Sequence, residues 1–366
     1  MRTVFLVRGL GEYAQAVAIA PLIKDRGSAV FFLTDNVFLA SLIKKDGFSL
    51  TFLTRPDEAN EKLKHIEANA LFLCNAHTTR IYNLVRPKQI KWIFSLDSNW
   101  LFNNEKYKKL NQLKLLTYPW IDRPYLLFPR QFFLKNLKEN GGYYEIDEVF
   151  KKKIITPGFI PSGPRFTDEK RRELRAKIGL SDNQKFVVSY FSKPEFHSSQ
   201  IKDYIVQFQK YVKSAINTIN STNNTPIALF DLSSLWNNFT ARIDISAFST
   251  VDFNRIIGIS DLVVMHYGYG TLPKVFANQI PVLCLLPRPN NKVHTNFFEL
   301  KPCIDAKAIE YLFFDQVTKS SIEDIARSLL FDPAVIKEMK SNQARIFSKG
   351  EKNLLQNFYG SYTIKG

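Results

Sequence analysis

His266, Gly268, Gly270 and Thr271 follow the apolar run Leu262-Val263-Val264-Met265 and precede a helical pattern over 272–278. The glycines let the backbone approach a ligand closely, and the Thr271 hydroxyl and a His266 ring nitrogen can donate hydrogen bonds. A helix start adds unpaired N–H groups and the positive end of the helix dipole. Together they suit a phosphate or diphosphate. The other histidines, His65, His77, His197 and His294, stand at no i,i+3 or i,i+4 spacing to each other or to His266, so local spacing predicts no metal centre.

These residues need a buried strand and a helix to hold them, and the rest of the chain is patterned to supply both. Apolar runs at 3–7, 29–33, 48–53, 70–74 and 91–95 read as strands, and 14–23 and 37–45 as helices. Beyond the Pro- and Gly-rich segment 154–164 the rhythm resumes. Helices are expected at 168–178, 201–219, 253–259, 272–278, 321–330 and 334–347. Strands are expected at 186–190, 227–230, 262–265 and 282–286. Strand–helix alternation predicts an α/β protein with parallel sheets covered on both faces. The expected division is 1–155, 165–345 and a closing segment 346–366 that returns to the first domain. In doubly wound sheets ligands bind beyond the carboxyl ends of strands, where His266 falls.

The segment from Ser260 to Val282, with His266, Gly268, Thr271 and Pro281, resembles the donor-binding segment of GT-B glycosyltransferases. Val4–Ala20 is similar to the opening strand, glycine loop and helix of the branch containing the peptidoglycan N-acetylglucosaminyltransferase and the monogalactosyldiacylglycerol synthases. The resemblance implies two Rossmann-like domains with parallel sheets facing each other across a cleft. The N-terminal one would take the acceptor and the C-terminal one the nucleotide sugar. It further implies an inverting, metal-independent transfer from a donor, expected to be UDP-linked, with no further cofactor; no Asp-x-Asp motif is present. Gly9 and Gly11 would form the acceptor loop. Where that branch carries His after the loop glycines, this chain has Glu12, whose carboxylate can accept a proton from an attacking hydroxyl. Asp97 is a second candidate for that role. Ser192 falls where the family places a loop facing the donor, and Asn296 fits its sugar-contacting Asn. Lys274 stands where the family usually has the Glu that holds the ribose hydroxyls, and a lysine cannot accept hydrogen bonds. With Arg288 and Lys292, it points to a more phosphorylated or acidic ligand, or to a fold that binds a sugar nucleotide without turnover; His294 is a further donor-binding candidate.

With 50 basic and 34 acidic residues the formal charge is +16, which favours polyanions without choosing among them. Much of the surplus lies in 101–138, where eight Lys or Arg and eight aromatics face two acids. Three readings stand for this stretch: core aromatics among solvated lysines, an anionic membrane surface that collects a lipid-linked or glycan acceptor, or single-stranded nucleic acid. No nucleic-acid motif supports the last. Tyr118–Trp120 and Tyr125–Phe133 are the segments expected at a bilayer on the second reading. Cys74 and Cys284 lie in apolar runs, and neither they nor Cys303 has zinc-ligand or disulfide-framework spacing. Arg8 and Glu12 interrupt any signal-peptide-like run, and no apolar stretch is of membrane-spanning length. A cytoplasmic protein, peripheral on the inner face of the membrane, is the expectation.

Overall fold

The opening run Arg2–Leu6 forms strand β1, and Thr3 to Leu6 have no exposed surface, as an interior parallel strand requires. The computed structural model describes residues 1–74, 82–86, 88–97, 121–127, 154–161, 163, 165–191, 199–232, 250–266, 271–288, 296–347 and 350–363. By contacts the chain divides into two units. One comprises Met1–Ser162, Asn291–Val293 and Ser348–Gly366, and the other Gly163–Asn290 and His294–Phe347.

In the first unit β1 is followed by α1 (Leu10–Lys24), β2 (Ala29–Thr34), α2 (Val37–Lys45), β3 (Ser49–Phe52), α3 (Ala59–His65), β4 (Ala70–Leu73), β5 (Trp92–Asp97) and β6 (Arg123–Leu126). The six strands are parallel in the order β3-β2-β1-β4-β5-β6. The chain runs outward from β1 to β3, then crosses back to lay β4 on the other side of β1. The frequent phenylalanines build this core. Phe5 is in register with Phe32 on β2 and Phe72 on β4, and Phe72 with Phe94 on β5. Their rings stack at 5.3, 4.7 and 4.7 Å. Each such pair adds about 0.5–1.5 kcal/mol beyond the area it buries. Phe358, from the C-terminal helix Gly350–Thr363, covers Phe94 at 5.1 Å, and Tyr359 donates to the Ile23 carbonyl at 3.2 Å. A Cβ at Gly350 would collide with the Phe159 carbonyl oxygen, so only glycine admits this approach.

The second unit runs α4 (Asp168–Lys177), β7 (Lys185–Tyr190), α5 (Ser199–Thr222), β8 (Ile227–Asp231), α6 (Thr250–Gly258), β9 (Leu262–His266), α7 (Leu272–Ala277), β10 (Val282–Leu286), α8 (Asn296–Asp305), β11 (Glu310–Phe313), α9 (Lys319–Phe331) and α10 (Pro333–Ile346). Its parallel sheet has the order β11-β10-β9-β7-β8, and β9 and β10 are buried throughout. Helices α5 and α9 pack together over one face of the sheet. Arg175 ties α4 beneath it: its guanidinium meets Asp261 at 2.8 Å, whose carboxylate also accepts from the Phe186 N–H at 2.8 Å.

Five elements are not assigned from the sequence: α3, β6, α8, β11 and the C-terminal helix. Two carry a proline that reads as a breaker, Pro124 in β6 and Pro302 in α8. As β6 closes one edge of its sheet, a missing N–H is tolerated there. The strand also corrects the bilayer reading of 125–133 at its first residue. Tyr125 is fully buried, with its ring 5.6 Å from Phe94, and Leu127 is buried too. The rest of that reading, including 118–120, lies outside the described residues. All three cysteines are buried, and burial pushes the Cys284 thiol up to about 12. Among the described residues no helix is long and apolar enough to cross a membrane.

Candidate functional site

The second sheet changes direction at β7. Its first crossover places β8 on one side, and the next places β9 on the other. At such a switch point the flanking helices diverge, and ligands settle beyond the carboxyl ends of the two central strands. Those ends carry Tyr190 and His266, whose rings meet edge to face at 6.4 Å. His266 is buried to within 5% of full enclosure. After it, Thr271 occupies the N-cap position of α7, and no capping bond from its hydroxyl to the first turn is formed. The Thr271 carbonyl accepts from the Lys274 and Val275 amides at 3.1 and 3.2 Å, closing the first turn.

Lys274 is 4% exposed, and burial in this apolar turn pulls its ammonium down to about 7. Near neutral pH it therefore exchanges between charged and neutral forms, unlike a surface lysine. Arg288, two residues beyond β10, is half-exposed and held by Asp315 at 2.6 Å with its guanidinium over the Phe313 ring at 4.8 Å. The positive charge read from Lys274 and Arg288 is thus smaller than a count of basic residues suggests.

The first unit has its own polar pocket at the carboxyl ends of β1 and β2, a cavity of about 440 Å³ lined by Arg8, Gly9, Glu12, Asp35 and Asn36. Glu12 folds back over the start of its own helix, and its Oε2 accepts from the Arg8 and Gly9 amides at 2.6 and 3.2 Å. Asp35 binds Arg8 through Nε at 3.2 Å and Nη2 at 3.1 Å. It also accepts from the Tyr82 hydroxyl at 2.9 Å. Burial, then the neighbouring Asp35 charge, pushes the Tyr82 phenol upward, so it stays a hydrogen-bond donor across the physiological range. Asn36 caps α2 by accepting from the Phe38 and Leu39 amides, and its side-chain amide donates to the Arg8 carbonyl at 3.1 Å.

Among the candidates read from sequence, the structure gathers Gly9 and Glu12 in the first unit; Gly11 is the second residue of α1, with open space where a Cβ would stand. In the second unit it places His266, Thr271 and Lys274 along β9 and α7. Asp97 ends β5 and Asn296 begins α8, but their side chains lie outside the described residues, as do Ser192, Gly268, Gly270, Lys292 and His294 entirely. Sequence reading missed Arg8, Asp35 and Tyr82. A signal for the first two existed, since Arg8 directly follows the predicted strand 3–7 and Asp35 stands two residues beyond the predicted strand 29–33.

No protein-family model matches the chain, and no curated protein matches its sequence. Solved structures do match its fold. A protein described as a UDP-N-acetylglucosamine 2-epimerase from Listeria monocytogenes aligns with a TM-score of 0.63 at 12% identity, over 100% of this chain and 97% of that one. The S. aureus MnaA–UDP complex aligns at 0.61 with 10% identity, over 99% and 97%. The glycosyltransferase SnogD from Streptomyces nogalater aligns at 0.59 with 12% identity, over 98% and 99%. The chain has the two-unit α/β fold of the GT-B type.

Proposed function

We propose that this chain is a glycosyltransferase that moves a sugar from a UDP-linked donor to a hydroxyl acceptor, with inversion and without a metal ion. One observation carries the reading most: His266 and Thr271 flank the carboxyl end of the central strand β9, at the switch point of the second sheet. The second unit binds the nucleotide there. The Thr271 and Leu272 amides at the start of α7, the Thr271 hydroxyl and His266 meet the diphosphate and stabilise the charge that develops as UDP leaves; Pro273 has no N–H, and the Lys274 and Val275 amides already bond to the Thr271 carbonyl. Lys274, in its protonated form, adds to that stabilisation.

The polar pocket of the first unit takes the acceptor. Its oxygen bonds to the anomeric carbon as the bond to UDP breaks, and the hydroxyl proton passes to the Glu12 carboxylate. The Arg8 and Gly9 amides orient that carboxylate. Asp35 and Arg8 lie beside it to hold further hydroxyls of a sugar-like acceptor.

A second reading is a UDP-sugar epimerase, favoured by the likeness to the Listeria protein. A third is a sugar-nucleotide binder without turnover, favoured by Lys274 in place of an acceptor of ribose hydrogen bonds. Titration with a panel of UDP-, GDP-, CDP- and dTDP-sugars, followed by product analysis, separates them. Transfer predicts acceptor-dependent UDP release, epimerisation predicts an altered sugar still attached to UDP, and a binder predicts stabilisation with neither.

A further inference from the structure

The second unit has another cavity, of about 680 Å³, at the edge of the sheet opposite His266, where β7 begins and the chain turns into β10. Strands of five residues put roughly 17 Å between the two edges. The floor is apolar: Leu330 and Phe331 close α9, and Pro333 and Ile336 open α10. The rim is cationic, formed by Lys185, Lys337 and Lys340, with Gln279 and Ser341 supplying hydrogen-bonding groups.

Among the described residues no acid lines this groove. Helix α10 turns Met339, Gln343 and Ile346 inward, which leaves Ile336, Lys337, Lys340 and Ser341 on a separate face. Glu338 is drawn to Lys307 at 3.1 Å. Two acids outside the lining, Asp261 and then Asp168, act on Lys340 through their charge, and Asp261 is already engaged by Arg175 and the Phe186 amide. Lys340 is partly buried, and burial followed by the Arg171 charge lowers its pKa, a cost that a bound anion would relieve.

We propose that this groove binds a phosphomonoester carrying an apolar chain, with the phosphate between Lys337, Lys340 and Lys185 and the chain over Leu330, Phe331 and Ile336. Three cations, with no acid among the described lining residues, select an anion, and the apolar floor selects an amphiphile over inorganic phosphate. The volume is that of a small-molecule site. A single-stranded nucleic acid would need successive stacking surfaces, and among the described lining residues Phe331 is the one aromatic ring.

The test is calorimetric titration of the full chain with octyl phosphate, inorganic phosphate and octanol. Octyl phosphate should bind saturably, inorganic phosphate at least about tenfold more weakly, and octanol not at all. K337Q/K340Q should weaken octyl phosphate at least about tenfold, and K337R/K340R should restore it. Ile336→Ser should weaken octyl phosphate while leaving inorganic phosphate unchanged. The proposal is overturned if wild-type protein shows no saturable binding, if phosphate or octanol binds as tightly as octyl phosphate, or if K337Q/K340Q binds like wild type.

Discussion

Replacing Lys274 by methionine keeps its length and removes its charge, so it isolates what burial of an ammonium does to this protein. The folded-state pKa is about 7 against an ordinary 10.5, a difference of about 3.5 units, equivalent to about 5 kcal/mol in full. The sign follows from proton binding. Between pH 7 and 10.5 the unfolded chain holds this proton and the folded chain does not, so stability rises with pH across that window. From pH 7 to pH 9 the rise works out at about 2 kcal/mol, because near pH 7 the folded lysine is still half protonated. Other groups titrate there too, but they are common to both proteins, and the difference between the two pH dependences isolates Lys274. Urea unfolding of wild type and Lys274→Met at pH 7 and pH 9 measures it. Wild type should gain about 2 kcal/mol more than the variant. Equal gains would refute the reasoning, since they would mean that Lys274 titrates as it does in water.

Binding of UDP next to Lys274 should raise its pKa, so titration at pH 8 in buffers of different ionisation enthalpy should register proton uptake that Lys274→Met abolishes. His266→Ala should weaken UDP affinity by about tenfold, the loss of a charge-assisted hydrogen bond, with the melting temperature as a control on the fold. Glu12→Gln should lower stability by about 1 kcal/mol through a weaker helix cap and should suppress turnover while sparing UDP affinity. A full rate in that variant would remove Glu12 as the base. Phe72→Ala should destabilise the protein by about 3–5 kcal/mol in chemical denaturation, because its ring packs on Phe5, Phe94 and Phe358.

The strands of both sheets were legible because they are buried on both faces and so read as short unbroken apolar runs, as in Leu262–Met265 and Val282–Leu286. Two of the four edge strands were not: β6 and β11 lie at the rims of their sheets, where a proline or a charged residue costs little, whereas the other rims, β3 and β8, kept readable apolar runs. His266 and Thr271 stood out because a strand, a glycine turn and a helix follow one another without a break. The pocket around Asp35 did not, because Arg8, Asp35 and Tyr82 converge from three separate segments, and no spacing within one segment signals that. Nor could sequence reveal that Lys274 is enclosed. A lysine in a short helical pattern is ordinarily solvated, and only the packing of α7 against α6 and α10 buries it.

The central claim is that a nucleoside diphosphate sits beyond the carboxyl end of β9. A crystal structure of the chain with UDP tests it most directly. Diphosphate oxygens are expected within about 3 Å of the Thr271 and Leu272 amides and of the His266 ring. UDP bound instead in the Arg8–Asp35 pocket, or absent from crystals grown at saturating nucleotide, would contradict it.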